Sequence, residues 1–215
     1  MADKGLTNTE SVYDQIRTEK IIAIVRGVDA ETVVHIAEAL YAGGLRLLEI
    51  TCNTPGVMGI IQEVSQAMDG RMLVGAGTVI TEDLARQVHR AGAKYVLAPD
   101  VNPQVIKYCL ANDIAVIPGA TTATEVLTAY RLGAKIIKLF PAGALGVDYI
   151  EQLRGPINNI DLIAVGGVEL SNMASFIKAG CIGVGLGSSL IRKDLVTSSN
   201  WQGLTQLAKE FRGKG

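Results

Sequence analysis

Lys135-Ile136-Ile137-Lys138-Leu139-Phe140-Pro141-Ala142-Gly143 is an apolar strand with a charge set inside it. Successive side chains of a strand point to opposite faces, so Ile137 and Leu139 share one face while Ile136, Lys138 and Phe140 share the other. Lys138 therefore stands among apolar neighbours, whereas Lys135, first in the run, reads as a solvent-facing strand end. Pro141 and Gly143 stop the strand and put Lys138 near its C-terminal end. In parallel α/β proteins that is the end where chemistry is done. An isolated ammonium in apolar surroundings is costly, and the usual escape is a lowered pKa that leaves a neutral, nucleophilic amine. Such an amine can attack a ketone to form an imine. Taken alone, a lysine reaching from a strand end into solvent is the plainer reading.

Outward from this run the chain repeats one theme: an apolar strand, a Gly, Pro or Thr turn, an amphipathic helix, and a small-residue stop such as Ala42-Gly43, Ala91-Gly92, Leu132-Gly133 or Ala179-Gly180. Strands start near residues 21, 46, 72, 94, 114, 135, 161 and 182. Intervals of roughly 20 to 26 residues suit βα units. Eight such units predict a closed, single-domain (β/α)8 TIM barrel over residues 1–215, with 1–20 as an N-terminal extension and short helix over Ser11–Lys20. A doubly wound open sheet is the alternative, but no Gly-x-Gly-x-x-Gly turn follows the first strand. Leu204, Leu207, Ala208 and Phe211 stripe a last helix over Trp201–Phe211 that should close the wall.

The 215 residues are 48% hydrophobic with a formal net charge of −1, so no basic surface predicts nucleic acid or an anionic membrane as partner. Met1 to Glu10 is polar, without the apolar core of a signal peptide, and no apolar run is long enough to span a bilayer. A cytoplasmic protein is expected. Cys52, Cys109 and Cys181 lie far apart and suggest reduced, mostly buried thiols rather than disulfides or zinc ligands. His35 and His89 fall on separate predicted helices, read as surface positions, and no metal site is expected.

In a barrel, the polar residues that matter are those at strand ends. Arg26 closes the first strand, and Glu49 lies inside the second, sharing a face with Leu47 and Thr51. Glu49 and Lys138 could be a buried ion pair, but such pairs are costly and seldom kept for stability alone, which favours function. Strand three ends in Gly75-Ala76-Gly77-Thr78, whose glycines admit a ligand and whose hydroxyl can hold a carboxylate; Thr78 could equally sit at a helix start. Pro99 and Pro118 read as turn-setters. Val165-Gly166-Gly167 and Gly185-Leu186-Gly187-Ser188-Ser189 end strands seven and eight, where barrels of this kind bind phosphate.

Together, Ile22-Ala23-Ile24-Val25-Arg26-Gly27, Leu48-Glu49-Ile50-Thr51, Gly75-Ala76-Gly77-Thr78, Ile117-Pro118-Gly119, Lys138-Leu139-Phe140-Pro141 and the two glycine pairs resemble the class I KDPG/KHG aldolases from about Ile21 to Ile191. The resemblance implies that Lys138 is the Schiff-base lysine and Glu49 the proton shuttle. It implies Arg26 and Thr78 at the oxo-acid end, with Asn53, Pro99 and Val165 completing the substrate site, and Gly166, Gly167, Gly187 and Ser188 at the phosphate. It also implies no cofactor, a homotrimer, and retro-aldol cleavage of a 2-keto-3-deoxy-6-phospho sugar acid to pyruvate and glyceraldehyde 3-phosphate, with 4-hydroxy-2-oxoglutarate as a further candidate substrate. Many phosphogluconate-type members carry arginine where this chain has Asn53 and threonine where it has Val165. Asn53-Thr54-Pro55 with Ala164-Val165-Gly166-Gly167 looks more like the 2-dehydro-3-deoxy-6-phosphogalactonate branch, which cleaves the C4 epimer. The rival readings are a sugar-phosphate isomerase or epimerase without imine chemistry, and a non-catalytic sugar-phosphate binding protein.

Overall fold

Each of the eight expected strand starts becomes a strand within a residue or so of its predicted place. The computed structural model describes residues 8–215, so the first seven residues of the expected N-terminal extension lie outside the described residues. The order is α1 (Asn8–Glu19), β1 (Ile21–Val25), α2 (Ala30–Ala42), β2 (Leu47–Thr51), α3 (Val57–Ala67), β3 (Leu73–Gly77), α4 (Glu82–Arg90), β4 (Tyr95–Leu97), α5 (Pro103–Ala111), β5 (Ala115–Ile117) and β6 (Gly119–Ala120). It continues through α6 (Ala123–Arg131), β7 (Ile136–Leu139), α7 (Ala142–Leu145), α8 (Val147–Arg154), β8 (Asp161–Val165), α9 (Met173–Lys178), β9 (Gly183–Leu186), α10 (Lys193–Thr197) and α11 (Trp201–Arg212).

The sheet runs β5-β4-β3-β2-β1-β9-β8-β7-β6 and its pairings are parallel. β5 and β6 are two halves of one strand interrupted at Pro118, so nine segments make eight staves. Proline has no N–H to give a ladder, which explains the break. The Pro118 carbonyl still accepts from Lys138 N at 2.9 Å, so the ring closes through that residue. The open-sheet alternative is excluded.

Two apolar layers follow from strand alternation. Ile137, Leu139, Leu48, Ile50, Val184 and Leu186 face outward into the layer shared with the helices. Leu47, Tyr95, Ile117, Ile136, Ile163 and Val165 face inward, where Val12, Tyr13 and Ile16 of α1 join them and cork the N-terminal end of the barrel. Burying each such Ile or Leu stabilises the fold by about 1.5 to 3 kcal/mol. The expected last helix packs Leu204, Ala208 and Phe211 inward, with Leu207 partly buried.

Helix starts face the C-terminal mouth of the barrel and are capped there. Asp29 accepts from Thr32 N, Thr81 from Leu84 N, Asn102 from Gln104 N and Val105 N, and Thr122 forms a reciprocal box with Glu125. Each cap is worth about 1 kcal/mol and holds a loop at the mouth in one conformation. Among the described residues no helix is long and apolar enough to cross a membrane.

Candidate active site

Alternation turns Glu49 of β2 and Lys138 of β7 into the barrel, on the same faces as Leu47 and Ile136. Both sit in a layer just above the apolar interior, Glu49 1% and Lys138 6% exposed. Neither is the solvent-facing strand end that a charge would normally be. Lys135 is: it is exposed and paired with Glu10 of α1.

Lys138 and Glu49 do not form a direct ion pair among the described residues, and Glu49 Oε2 is buried without a hydrogen-bond partner. An unpaired buried oxygen of this kind is expensive, and its persistence calls for a use. Burial pushes the Lys138 amine below its ordinary pKa; the Glu49 charge opposes that and Arg26 reinforces it. Burial likewise raises the Glu49 carboxyl above the ordinary carboxylate value, against the pull of Lys138 and then Arg26. Desolvation is the leading cause at both groups, so each is driven toward its neutral form.

Phe140 was expected to help bury the lysine. It lies past the end of β7, 36% exposed, with its ring centroid 4.9 Å from Lys138 Nζ. A ring over the amine keeps water from it, as expected, and also attracts its charged form. Ile136 below is fully buried and supplies the apolar wall.

The remaining expected residues all lie on the C-terminal face. Arg26 is exposed just after β1, and its charge reaches both Glu49 and Lys138. Thr78, half-buried after β3, has φ +60°, a left-handed conformation that costs a β-branched residue about 1 to 3 kcal/mol. It is not a helix cap, since Thr81 caps α4. Val165 points inward and is 4% exposed. Asn53 is exposed in the loop after β2 and Pro99 is half-buried at the end of β4; neither makes a hydrogen bond to Glu49 or Lys138.

Gly166 and Gly167 have φ +87° and +72°, which only glycine adopts freely. Gly143 N donates to Gly166 O at 2.7 Å, and a Cβ at Gly143 would lie 2.8 Å from Gly167 Cα. Asn172 Nδ2 holds the Gly167 carbonyl at 3.0 Å, and Ser189 Oγ donates to Val168 O at 2.8 Å, joining the loops after β8 and β9. The N–H groups of Gly166, Gly167 and Ser188 have no protein acceptor among the described residues. Unpaired amides from two adjoining loops form a site suited to an anion.

Several contributors escaped sequence reasoning. Thr54 Oγ1 accepts from Gly27 N at 2.9 Å and lies 3.4 Å from Thr51 Oγ1, clipping the loop after β1 to the loop after β2. Asn172 and Ser189 position the glycine loops. Tyr95, fully buried in the barrel, donates to Leu48 O at 2.9 Å. Their signal is only a polar atom in an otherwise apolar or glycine-rich stretch. The thiol of Cys52, next to the site, is pushed up to about 11 by burial and then by Glu49, so it is unreactive at neutral pH.

A family-level sequence profile described as KDPG and KHG aldolase matches residues 12–207. The chain is 34% identical over 193 residues to the 2-dehydro-3-deoxy-6-phosphogalactonate aldolase of Escherichia coli K12, covering 89% of this chain and 94% of that protein. A crystal structure of a KDPG aldolase from Legionella pneumophila, with pyruvate captured as a covalent carbinolamine, is 26% identical and superposes with a TM-score of 0.85 over 90% of this chain and 94% of that one. A cube-shaped protein cage designed by fusing symmetric oligomeric domains contains a chain 32% identical to this one, with a TM-score of 0.84 over 91% of this chain and 71% of that chain.

Proposed function

The chain belongs to the KDPG and KHG aldolase family, and on that premise we propose that Lys138 is its Schiff-base lysine and Glu49 its proton shuttle. The observation that carries this reading is a buried lysine and a buried carboxylate, unpaired with one another, in the same layer of the barrel mouth, each shifted toward neutrality.

The substrate is a 2-keto-3-deoxy-6-phospho sugar acid. Neutral Lys138 adds to the C2 carbonyl, and the carbinolamine takes up a proton from solvent and loses water to give an iminium; the proton is given back when the iminium is hydrolysed. Glu49 takes the proton of the C4 hydroxyl, the C3–C4 bond breaks, and its electron pair moves into the iminium to give an enamine and glyceraldehyde 3-phosphate. Glu49 returns the proton to C3, and water releases pyruvate and the free lysine. A carboxyl with a raised pKa suits this, because it can hold and release a proton nearer to neutrality than an ordinary glutamate. Arg26 and Thr78 receive the carboxylate end, with Asn53, Pro99 and Val165 along the sugar. Gly166, Gly167, Gly187 and Ser188 offer amides to the phosphate.

The galactonate epimer is the favoured substrate, supported by Asn53 and Val165 and by the likeness to the Escherichia coli phosphogalactonate enzyme. A homotrimer belongs to the same reading, supported by the likeness to a designed cage of symmetric oligomeric domains and by the exposed Ile80 and Tyr130. Three free thiols support a reducing, cytoplasmic setting.

The test is borohydride reduction in the presence of pyruvate, followed by peptide mass mapping. A stable adduct on the Lys138 peptide is expected, and turnover of the two C4 epimers then names the substrate. No adduct on folded protein removes the imine mechanism and leaves isomerase chemistry in its place.

A further inference from the structure

The inward face of β3 carries Leu73, Gly75 and Gly77, so beyond its first residue this strand shows the barrel only backbone. Side chains from the two neighbouring strands fill the space. From β4, Tyr95 lays its ring over Gly75, where an added Cβ would fall 2.4 Å from ring carbon Cε2, and its hydroxyl reaches across β3 to Leu48 O of β2. From β2, Glu49 lies over Gly77. A Cβ at Gly77 would fall 1.6 Å from Glu49 Oε1, 2.4 Å from Cδ and 2.8 Å from Cγ.

Neither glycine is there for its backbone. Gly75 and Gly77 both lie outside the positive-φ region, so any residue could adopt their conformation. What these positions exclude is volume. At Gly77 the overlap extends from the carboxylate head back to Cγ, so turning the carboxylate about its last bond cannot relieve it. The parallel register, Glu49 beside Gly75 and Thr51 beside Gly77, fixes which strand faces the side chain.

We infer that Gly77 is the positioning residue for Glu49: its missing side chain is the seat that lets the carboxylate head lie against β3, in the layer it shares with Lys138. This rests on the reading of Glu49 as the proton shuttle. Tyr95, seated on Gly75 in the same way, supplies the floor beneath it.

The test is Gly77→Ala in the full-length chain, with two readouts: borohydride trapping of pyruvate on Lys138, which reports imine formation, and exchange of the pyruvate methyl protons with deuterated water, which needs the proton shuttle. Trapping should persist while exchange falls roughly 100-fold, the scale of loss from misplacing a reacting group by an ångström. The loss should vanish in a Glu49→Ala background, where the double variant exchanges no more slowly than Glu49→Ala alone. Exchange at the parent rate in Gly77→Ala, or an equal loss in both backgrounds, overturns the inference. If Gly77→Ala does not fold but Glu49→Ala/Gly77→Ala does, the carboxylate is the obstruction and the seat is established. If neither folds, β3 needs glycine for another reason and the inference fails. If the unaltered protein traps no pyruvate, the aldolase role of Lys138 fails, while the folding comparison still decides the seat.

Discussion

The hydroxyl of Tyr13 both receives the N–H of Val116, at 3.0 Å, and donates to its carbonyl, at 3.1 Å. This happens where β5 has no strand on that side, because β7 pairs with β6 beyond Pro118 instead. A side chain of α1 thus completes the barrel wall at its N-terminal end. Burial raises the Tyr13 hydroxyl to about 12, so it stays protonated throughout the working range.

Tyr13→Phe leaves both Val116 groups buried without a partner, which should cost about 1 to 3 kcal/mol. For a chain of this size each kcal/mol lowers Tm by about 2 to 4 °C. Calorimetry should show the drop while aldolase activity at 25 °C is kept. An unchanged Tm would mean that water replaces the hydroxyl and that the corking helix is dispensable there.

The pH dependence of kcat/KM follows from the two shifts. On the proposed mechanism imine formation needs neutral Lys138, whose pKa lies below the ordinary lysine value of 10.5, and proton transfer needs ionised Glu49, whose pKa lies above the ordinary 4.5. The rate should therefore rise with pH through both values and level off before the ordinary lysine pKa is reached. Arg26→Gln removes a charge that lowers both groups, so its rising limb should move to higher pH. A limb that stays in place would show that Arg26 acts only on substrate.

Burying Lys138 should make stability depend on pH. Its folded pKa is depressed, so between that value and 10.5 the unfolded chain binds more protons than the folded one. Native stability therefore rises with pH across this window. Lys138→Met should abolish turnover and remove this group's part of the pH dependence of stability, so that the difference between the two proteins changes with pH across the window. Denaturant titrations of both proteins at several pH values would measure it. A difference that stays constant with pH would mean that the attraction to Glu49 offsets desolvation.

Thr78 holds φ +60°, so Thr78→Gly should cost the fold little or stabilise it by about 1 kcal/mol through release of backbone strain. Loss of the hydroxyl should raise KM about 10- to 100-fold, the worth of a hydrogen bond to a charged group. Thr78→Val, which keeps the branched shape without the hydroxyl, should show the same KM. Steady-state kinetics that leave KM unmoved in both would remove Thr78 from the oxo-acid end.

What the sequence determined by itself was whatever depends on period and on isolated exceptions to it. The strand starts follow from apolar runs ended by Gly or Pro, and the inward faces of Lys138 and Glu49 follow from alternation alone, because successive strand residues must point opposite ways. The glycine pairs after β8 and β9 were legible for the same local reason. Tertiary structure alone decided what depends on neighbours distant in the chain. Tyr13 completing β5 through Val116 is such a case, as are Thr54 clipping the first loop, Tyr95 crossing β3, and the space at Gly77 that Glu49 fills. Phe140 covers the amine from beyond the end of β7, a placement that only the closed barrel sets. Whether burial or opposite charge prevails at Lys138 and Glu49 was likewise undecidable from spacing, since both effects depend on distances through space. Closure of the barrel sets those distances, and in it desolvation outweighs attraction at both groups.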